Sequence, residues 1–258
     1  MKKVLILCAC LAAGCSGVQD RGLTSGTGTS TQGASVSGPY TVVATSTKGN
    51  GNTNVYANLS AQSTTSFSAS SSTLVCPGNV PQNCVGDGSG STVTLTGTVS
   101  GTSIQIVVQF TNQNGPDTLT LSGGANGTTL SGSYSDTQGD AGSWTATLSG
   151  SLSGTYNGSV NSTPNPSPTA PVLSVLLTED QSLNLSGSAS VSNSLCFTSL
   201  DFSQGSVIGG AFTVTDTTKD VVIGAVPTGS GTFSVFYQIG SSAPICSGDY
   251  GTGTFTIQ

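Results

Sequence analysis

Ser91–Val99 reads STVTLTGTV, and Ser103–Phe110 reads SIQIVVQF. In the first stretch Val93, Leu95, Gly97 and Val99 share one side, with threonine on the other; in the second, Ile104, Ile106, Val108 and Phe110 are in phase. Strict alternation of this length is the signature of a half-buried strand, because successive side chains point to opposite faces. Threonine and valine suit a pleated surface. Gly231–Ile239 repeats the pattern with Phe233, Val235, Tyr237 and Ile239. Breaks rich in Gly, Asn and Asp recur about every 8–12 residues, the spacing of an antiparallel sandwich or barrel, and no amphipathic helical pattern of useful length interrupts them. The expected fold is all-β: two tandem antiparallel β modules, each a small meander-like barrel or sandwich, after a signal peptide and a flexible linker.

Two modules are expected because the chain repeats itself. Gly38-Pro39-Tyr40 returns 116 residues later as Gly154-Thr155-Tyr156, and Asn54–Leu59 returns as Pro171–Leu176 after 117. Cys76 corresponds to Cys196, and Gly139-Asp140-Ala141-Gly142 to Gly248-Asp249-Tyr250-Gly251. Repeats of domain length imply two similar units, here 38–150 and 151–258. By this alignment Pro164, Pro166, Pro168 and Pro171 fill a first hairpin loop, matching Lys48–Gly51. A shorter unit, Leu-Ser-Gly, recurs at Leu121, Leu130, Leu148, Leu152 and Leu185. Glycine repeated on one face of several strands suits a strongly coiled sheet that closes on itself.

The chain opens Met1-Lys2-Lys3, followed by an apolar run from Val4 to Ala13 and then Gly14-Cys15. A basic start, a short apolar run and small residues before a cut form a secretory signal, and the run is too short to span a bilayer, which needs about 20 apolar residues. Ala12-Ala13-Gly14-Cys15 resembles the lipobox of bacterial lipoproteins. The resemblance implies removal of residues 1–14, acylation of Cys15 and a bilayer partner reached through that lipid. It departs at one place: the family prefers Leu three residues before the cysteine, where this chain has Ala12. Ser16 after the lipidated residue implies the outer rather than the inner membrane of a cell envelope, facing the periplasm or the surface. Residues 15–37, rich in Gly, Ser and Thr, read as the lipidated cysteine and a flexible linker. Together with the Ser/Thr/Gly-rich strands and the terminal Gly-Asp-x-Gly segment, these features are similar to β-rich lipoproteins of soil bacteria such as the Acidobacteria, a resemblance that brings no activity with it.

Of seven cysteines, Cys8 and Cys10 leave with the signal and Cys15 is lipidated. Cys76, Cys84, Cys196 and Cys246 remain, an even number in an exported chain, which reads as two disulfides. Cys246 lies just before Gly248-Asp249, so Cys196 can staple a middle strand of the second module to its last. The first module has no cysteine there, which leaves Cys84 for Cys76. In the chain-entropy model the two loops are worth about 2.5 kcal/mol for Cys76–Cys84 and about 4 kcal/mol for Cys196–Cys246.

Composition narrows the function. Charged residues make up 6% of the chain, against about 25% in an average domain. After the signal, three basic residues (Arg21, Lys48, Lys219) face eleven acidic ones, a balance of −8. Such a chain cannot neutralise a phosphate backbone, so nucleic acid is excluded as a partner. There is no histidine, so a Ser-His-Asp or Cys-His site cannot be built, and with no CxxC spacing zinc is not expected. No cofactor, metal or catalytic residue is assigned. Lys48 and Lys219 lie in turn-like stretches without Ser-x-x-Lys spacing. The carboxylate pairs open to hydrolase chemistry are Asp136 with Asp140, Asp216 with Asp220 and Glu179 with Asp180. All fall in predicted turns, where Asp caps its own backbone, and the recurrence of Asp140 and Asp249 points first to a shared structural turn. Tyr134 and Tyr156 are in phase with strand leucines and belong to the core. The expected function is a non-catalytic envelope or surface role, structural or in contact with a protein or glycan. The alternatives are a lipocalin-like or carbohydrate-binding module, and a carboxylate-dependent hydrolase.

Overall fold

The computed structural model describes residues 36–78, 84–86, 92–112, 114–126, 129–165 and 169–258. The segment read as a signal peptide, Cys15 and most of the stretch read as a linker lie outside the described residues. Val36, at the end of the stretch read as linker, is buried against the first barrel.

The first half contains β1 (Gly38–Ser46), β2 (Asn52–Ala61), β3 (Ser66–Pro77), the two-residue β4 (Val85–Gly86), β5 (Thr94–Ser100), β6 (Ser103–Asn112), β7 (Gly115–Asn126), β8 (Thr129–Asp136) and β9 (Ala141–Leu148). Each strand pairs antiparallel with the next, apart from β4, which lies beside the end of β3. The start of β3 pairs with β5, and β9 returns to β1 with Tyr40 opposite Leu148, so eight strands close into an up-and-down barrel. The alternating stretches that predict strands form β5 and β6. Leu95, Val99, Ile104, Ile106, Val108 and Phe110 point inward, and Thr94, Thr96, Thr98, Gln105 and Gln109 point to solvent. The apolar set thus fills the lumen and the wall is polar, the reverse of a membrane barrel with its lipid-facing apolar band.

The second half repeats this plan. Its strands are β10 (Gly154–Ser162), β11 (Val172–Glu179), β12 (Leu185–Ser192), β13 (Ser199–Phe202), β14 (Gln204–Ile208), β15 (Ala211–Asp216), β16 (Val221–Gly229), β17 (Thr232–Ile239) and β18 (Tyr250–Ile257). β13 and β14 are one bent strand broken at Ser203. β13 pairs with β12, while β14 touches the start of β12 through the Asn184–Ser206 bridge and the Val207 amide, which donates to the Leu183 carbonyl (2.9 Å). The last strand, β18, lies against the first, β10, with Tyr156 opposite Ile257.

Several strand glycines face an aromatic ring across the sheet: Gly97 opposite Phe67, Gly132 opposite Trp144, Gly142 opposite Tyr134, Gly251 opposite Tyr237. A Cβ on Gly97 would lie 2.1 Å from the Phe67 ring. The bare backbone lets the sheet coil tightly while the ring opposite covers the gap.

The barrels are joined side to end. The β14–β15 turn lies on the outside of β1 and β2. Asn58 Nδ2 donates to the Val207 carbonyl (2.6 Å) and its Oδ1 accepts from the Gly209 amide (2.9 Å). Tyr56 and Cys76 of the first barrel pack with Ile208, Ala211 and Val226 of the second. Gly209 has φ +60°, and a Cβ there would sit 2.4 Å from the Tyr40 carbonyl oxygen, so no other residue fits this turn. The contact explains why both faces of β2 are buried from Asn54 to Leu59.

Candidate functional site

The two ends of the second barrel differ. One end is filled by Tyr156, Phe212 and Phe233, whose ring centroids lie 5.4–5.8 Å apart. The Tyr156 hydroxyl donates to the Leu152 carbonyl (2.7 Å), and the Leu152 amide donates to Glu179 Oε2 (2.6 Å), so the connection between the barrels is tied over this end. Burial, with the Glu179 charge adding to it, pushes the Tyr156 phenol up to about 12.

At the other end the lumen opens into a cavity of about 480 Å³, within the range of small-molecule sites, about 300–1,000 Å³. Its walls are the inward positions of five strands: Val160 on β10, Leu173 on β11, Leu200 on β13, Val221 and Ile223 on β16, and Ile239 on β17. Strand alternation places them there. The rim comes from the β10–β11, β12–β13 and β17–β18 loops. Cys196–Cys246 ties the last two together, with 5.8 Å between the Cα atoms. The other disulfide, Cys76–Cys84, closes the loop after β3 of the first barrel. Asn161, Asn165, Asn193 and Ser194 give the rim uncharged polar groups.

Among the described lining residues of the cavity, Asp249 is the one charged group. Asp249 Oδ1 accepts from the Ser162 hydroxyl (2.6 Å) and Oδ2 from the Tyr237 hydroxyl (2.9 Å). The first barrel holds the same triad, with Asp140 bridging Ser46 (2.7 Å) and Tyr134 (2.9 Å). The repeated Gly-Asp-x-Gly is therefore a clasp joining three strands at one barrel end. Its second glycine lies against the tyrosine ring, where a Cβ on Gly142 or Gly251 would fall 3.0 or 2.7 Å from a ring carbon. Burial, then the Asp140 hydrogen bond, lifts Tyr134 to about 12; burial and Asp249 raise Tyr237 as well.

The clasp is shared, but the lid is not. Over the first barrel's end Lys48 Nζ donates to the Gly139 carbonyl, and Thr47 Oγ1 to the Ala141 carbonyl (2.9 Å). In the repeat, Lys48 becomes Pro164, a lining residue of the cavity. Asp136, two residues after Tyr134, becomes Ile239, two after Tyr237. The β8–β9 turn spans 137–140, while the β17–β18 loop spans 240–249 and carries Cys246. Polar caps in the first barrel have become apolar walls in the second.

The carboxylate pairs singled out in the sequence serve turns. Asp136 Oδ1 accepts from the Asp140 amide (2.6 Å). Asp180 accepts from Ser182 and Asn184. Asp220 accepts from Ser242. Asp216 is the buried one. Its Oδ2 accepts from the Asp201 amide (2.9 Å) and Lys219 Nζ (3.1 Å), and its Oδ1 from the Thr218 and Lys219 amides.

Asp140 and Asp216 are held below the usual carboxylate range. At both, desolvation pulls upward and is outweighed by hydrogen bonds, from Ser46, Tyr134 and Ala141 at the first and from Asp201 and Lys219 at the second. Since an unfolded Asp titrates near about 3.9, their stabilisation is complete above about pH 4 and is lost as pH falls through the lower folded values. Urea midpoints are expected to stay level from neutral pH to about pH 4 and to fall below it, with Asp216→Asn blunting the fall. A midpoint already falling well above pH 5 would contradict this assignment.

No family model matches the chain, and no curated protein matches it. The cavity, its stapled rim and the repeated clasp therefore carry the functional reading themselves.

Proposed function

We propose that this is a non-catalytic envelope lipoprotein, anchored through acylated Cys15, whose second barrel holds a small apolar ligand. The observation that carries the reading is the open apolar recess, walled by Val160, Leu173, Leu200, Val221, Ile223 and Ile239 and rimmed by the Cys196–Cys246 staple. A purely structural or surface-contact role gives no account of a barrel end that trades the polar lid of its repeat for an apolar mouth. Two disulfides suit an exported chain, in keeping with the signal and lipobox read at Cys15. The polar outer wall suits a barrel that stands in water and is held to the membrane by lipid.

The test is a fluorescence titration with N-phenyl-1-naphthylamine, a neutral apolar dye that brightens on leaving water. Wild-type protein is expected to bind it saturably. Val160→Phe fills part of the recess, and removing about 50 Å² of ligand contact at about 25 cal/mol per Å² weakens binding about tenfold. No saturable binding by the wild type, or equal binding by Val160→Phe, sinks the proposal.

A further inference from the structure

The rim of the recess carries a second feature. Leu195 is 98% exposed and Ile245 50% exposed. Each precedes a half-cystine, Cys196 or Cys246, so the disulfide holds both side chains beside the mouth, where with Phe197 and Pro244 they line one shallow dent. Leu195 also lines the recess itself. The other large exposed apolar residues fall in the same barrel: Val172, Val222 and Tyr250 stand at the strand ends that meet this mouth, and Leu176 lies mid-strand on the wall. Among the described residues the first barrel has none. Exposed apolar residues gathered at one place mark a contact surface.

We infer that the mouth of the second barrel docks on a lipid bilayer through Leu195 and Ile245, and that the recess takes from it the hydrocarbon chain of an uncharged amphiphile. This rests on the reading of the recess as a ligand site. A bilayer is the occupant that answers both halves of the surface, because it covers a protruding apolar tip and supplies hydrocarbon to the hole beside it. The charges set the head group. Among the described lining residues of the recess there is no cation, and Asp249 presents a carboxylate. Lys219, beside the dent, is paired with Asp216. An anionic head would therefore meet repulsion without a counter-charge, whereas a hydroxyl or amide meets Asn161, Asn165, Asn193 and Ser194. Reach is no obstacle. Twenty residues separate Cys15 from Val36, a contour of up to about 70 Å at about 3.3–3.6 Å per residue.

The exported chain carrying Cys15→Ser, so that no acyl chain of its own enters the bilayer, together with Leu195→Trp is mixed with phosphatidylcholine vesicles whose acyl chains bear bromine, a contact quencher of tryptophan. Leu176→Trp on the barrel wall is the comparison, and the native Trp144, buried in the first barrel, is the common background. Leu195→Trp is expected to blue-shift and to be quenched, since docked apolar faces sit about 5–10 Å into the boundary of head groups and acyl chains. Leu176→Trp is expected to do neither. Ile245→Asp, at a residue that lines the dent but not the recess, is expected to weaken vesicle partition about tenfold while still binding N-phenyl-1-naphthylamine in vesicle-free solution. 1-Dodecanol is expected to displace the dye at lower concentration than dodecanoate. Equal quenching of the two tryptophan variants overturns the docking surface. Displacement by dodecanoate as strong as by dodecanol overturns the uncharged head. Failure of the dye to bind without vesicles overturns the recess itself, a separate result from either.

Discussion

Replacing Cys196 and Cys246 together by serine is expected to lower stability by about 4 kcal/mol and to remove dye binding. The bond closes a separation of 50 residues, and chain-entropy scaling assigns about 4 kcal/mol to a loop of that length. Its position adds a local effect. Leu195, Cys196 and Phe197 lie in the β12–β13 loop and Cys246 in the β17–β18 loop, and without the bond two sides of the mouth lose their covalent tie. Urea unfolding followed beside the dye titration separates the consequences. The first barrel, which has its own closed sheet and its own Cys76–Cys84 bond, is expected to keep its hydrogen-exchange protection. A double variant that binds the dye as the wild type does would show that the staple does not shape the recess.

Trp144→Ala is expected to cost about 3–5 kcal/mol, the range for emptying a large buried aromatic site. Trp144 is among the largest fully buried side chains. It stands opposite Gly132 on β8, and its indole Nε1 donates to the Ser122 carbonyl (3.2 Å) on β7. Alanine would leave a void over a glycine, which offers no side chain to collapse into it, and would remove the indole hydrogen bond to the Ser122 carbonyl. The loss should appear first in exchange of amides on β7, β8 and β9, while dye binding in the second barrel persists below the unfolding transition. A loss below about 1 kcal/mol would mean that the glycine pairs are not packed as described.

Much of this fold was legible in short stretches. STVTLTGTV and SIQIVVQF became β5 and β6 with their apolar sides inward, because alternation with period two fixes which face a residue takes. The Gly-Asp-x-Gly repeat read as a turn, and it is one, though the sequence could not show that its aspartates clasp a serine and a tyrosine from two other strands. The Tyr134 and Tyr237 hydroxyls reach Asp140 and Asp249 only after the sheets have coiled. The union of the barrels was not legible. Asn58 and Gly209 are 151 residues apart, and nothing local distinguishes Asn58 from a solvent-facing strand residue. Nor was the recess, because its walls are ordinary core residues by pattern. The one trace was comparative: Pro164 where the first repeat has Lys48, Ile239 where it has Asp136, and a longer final loop. Each is a small substitution by itself, and only the closed barrel brings them to one rim.

The most direct measurement is a methyl NMR titration of the protein with 1-decanol. Val160, Leu173, Leu200, Ile223 and Ile239 report from the recess, and Ile104, Ile106 and Val108 report from the first barrel's core. The account predicts saturable shifts at the first group, with intermolecular contacts from the alkyl chain to Ile223 and Leu200, and unmoved resonances in the second group. Shifts spread evenly over both barrels, or none at the recess, would contradict it.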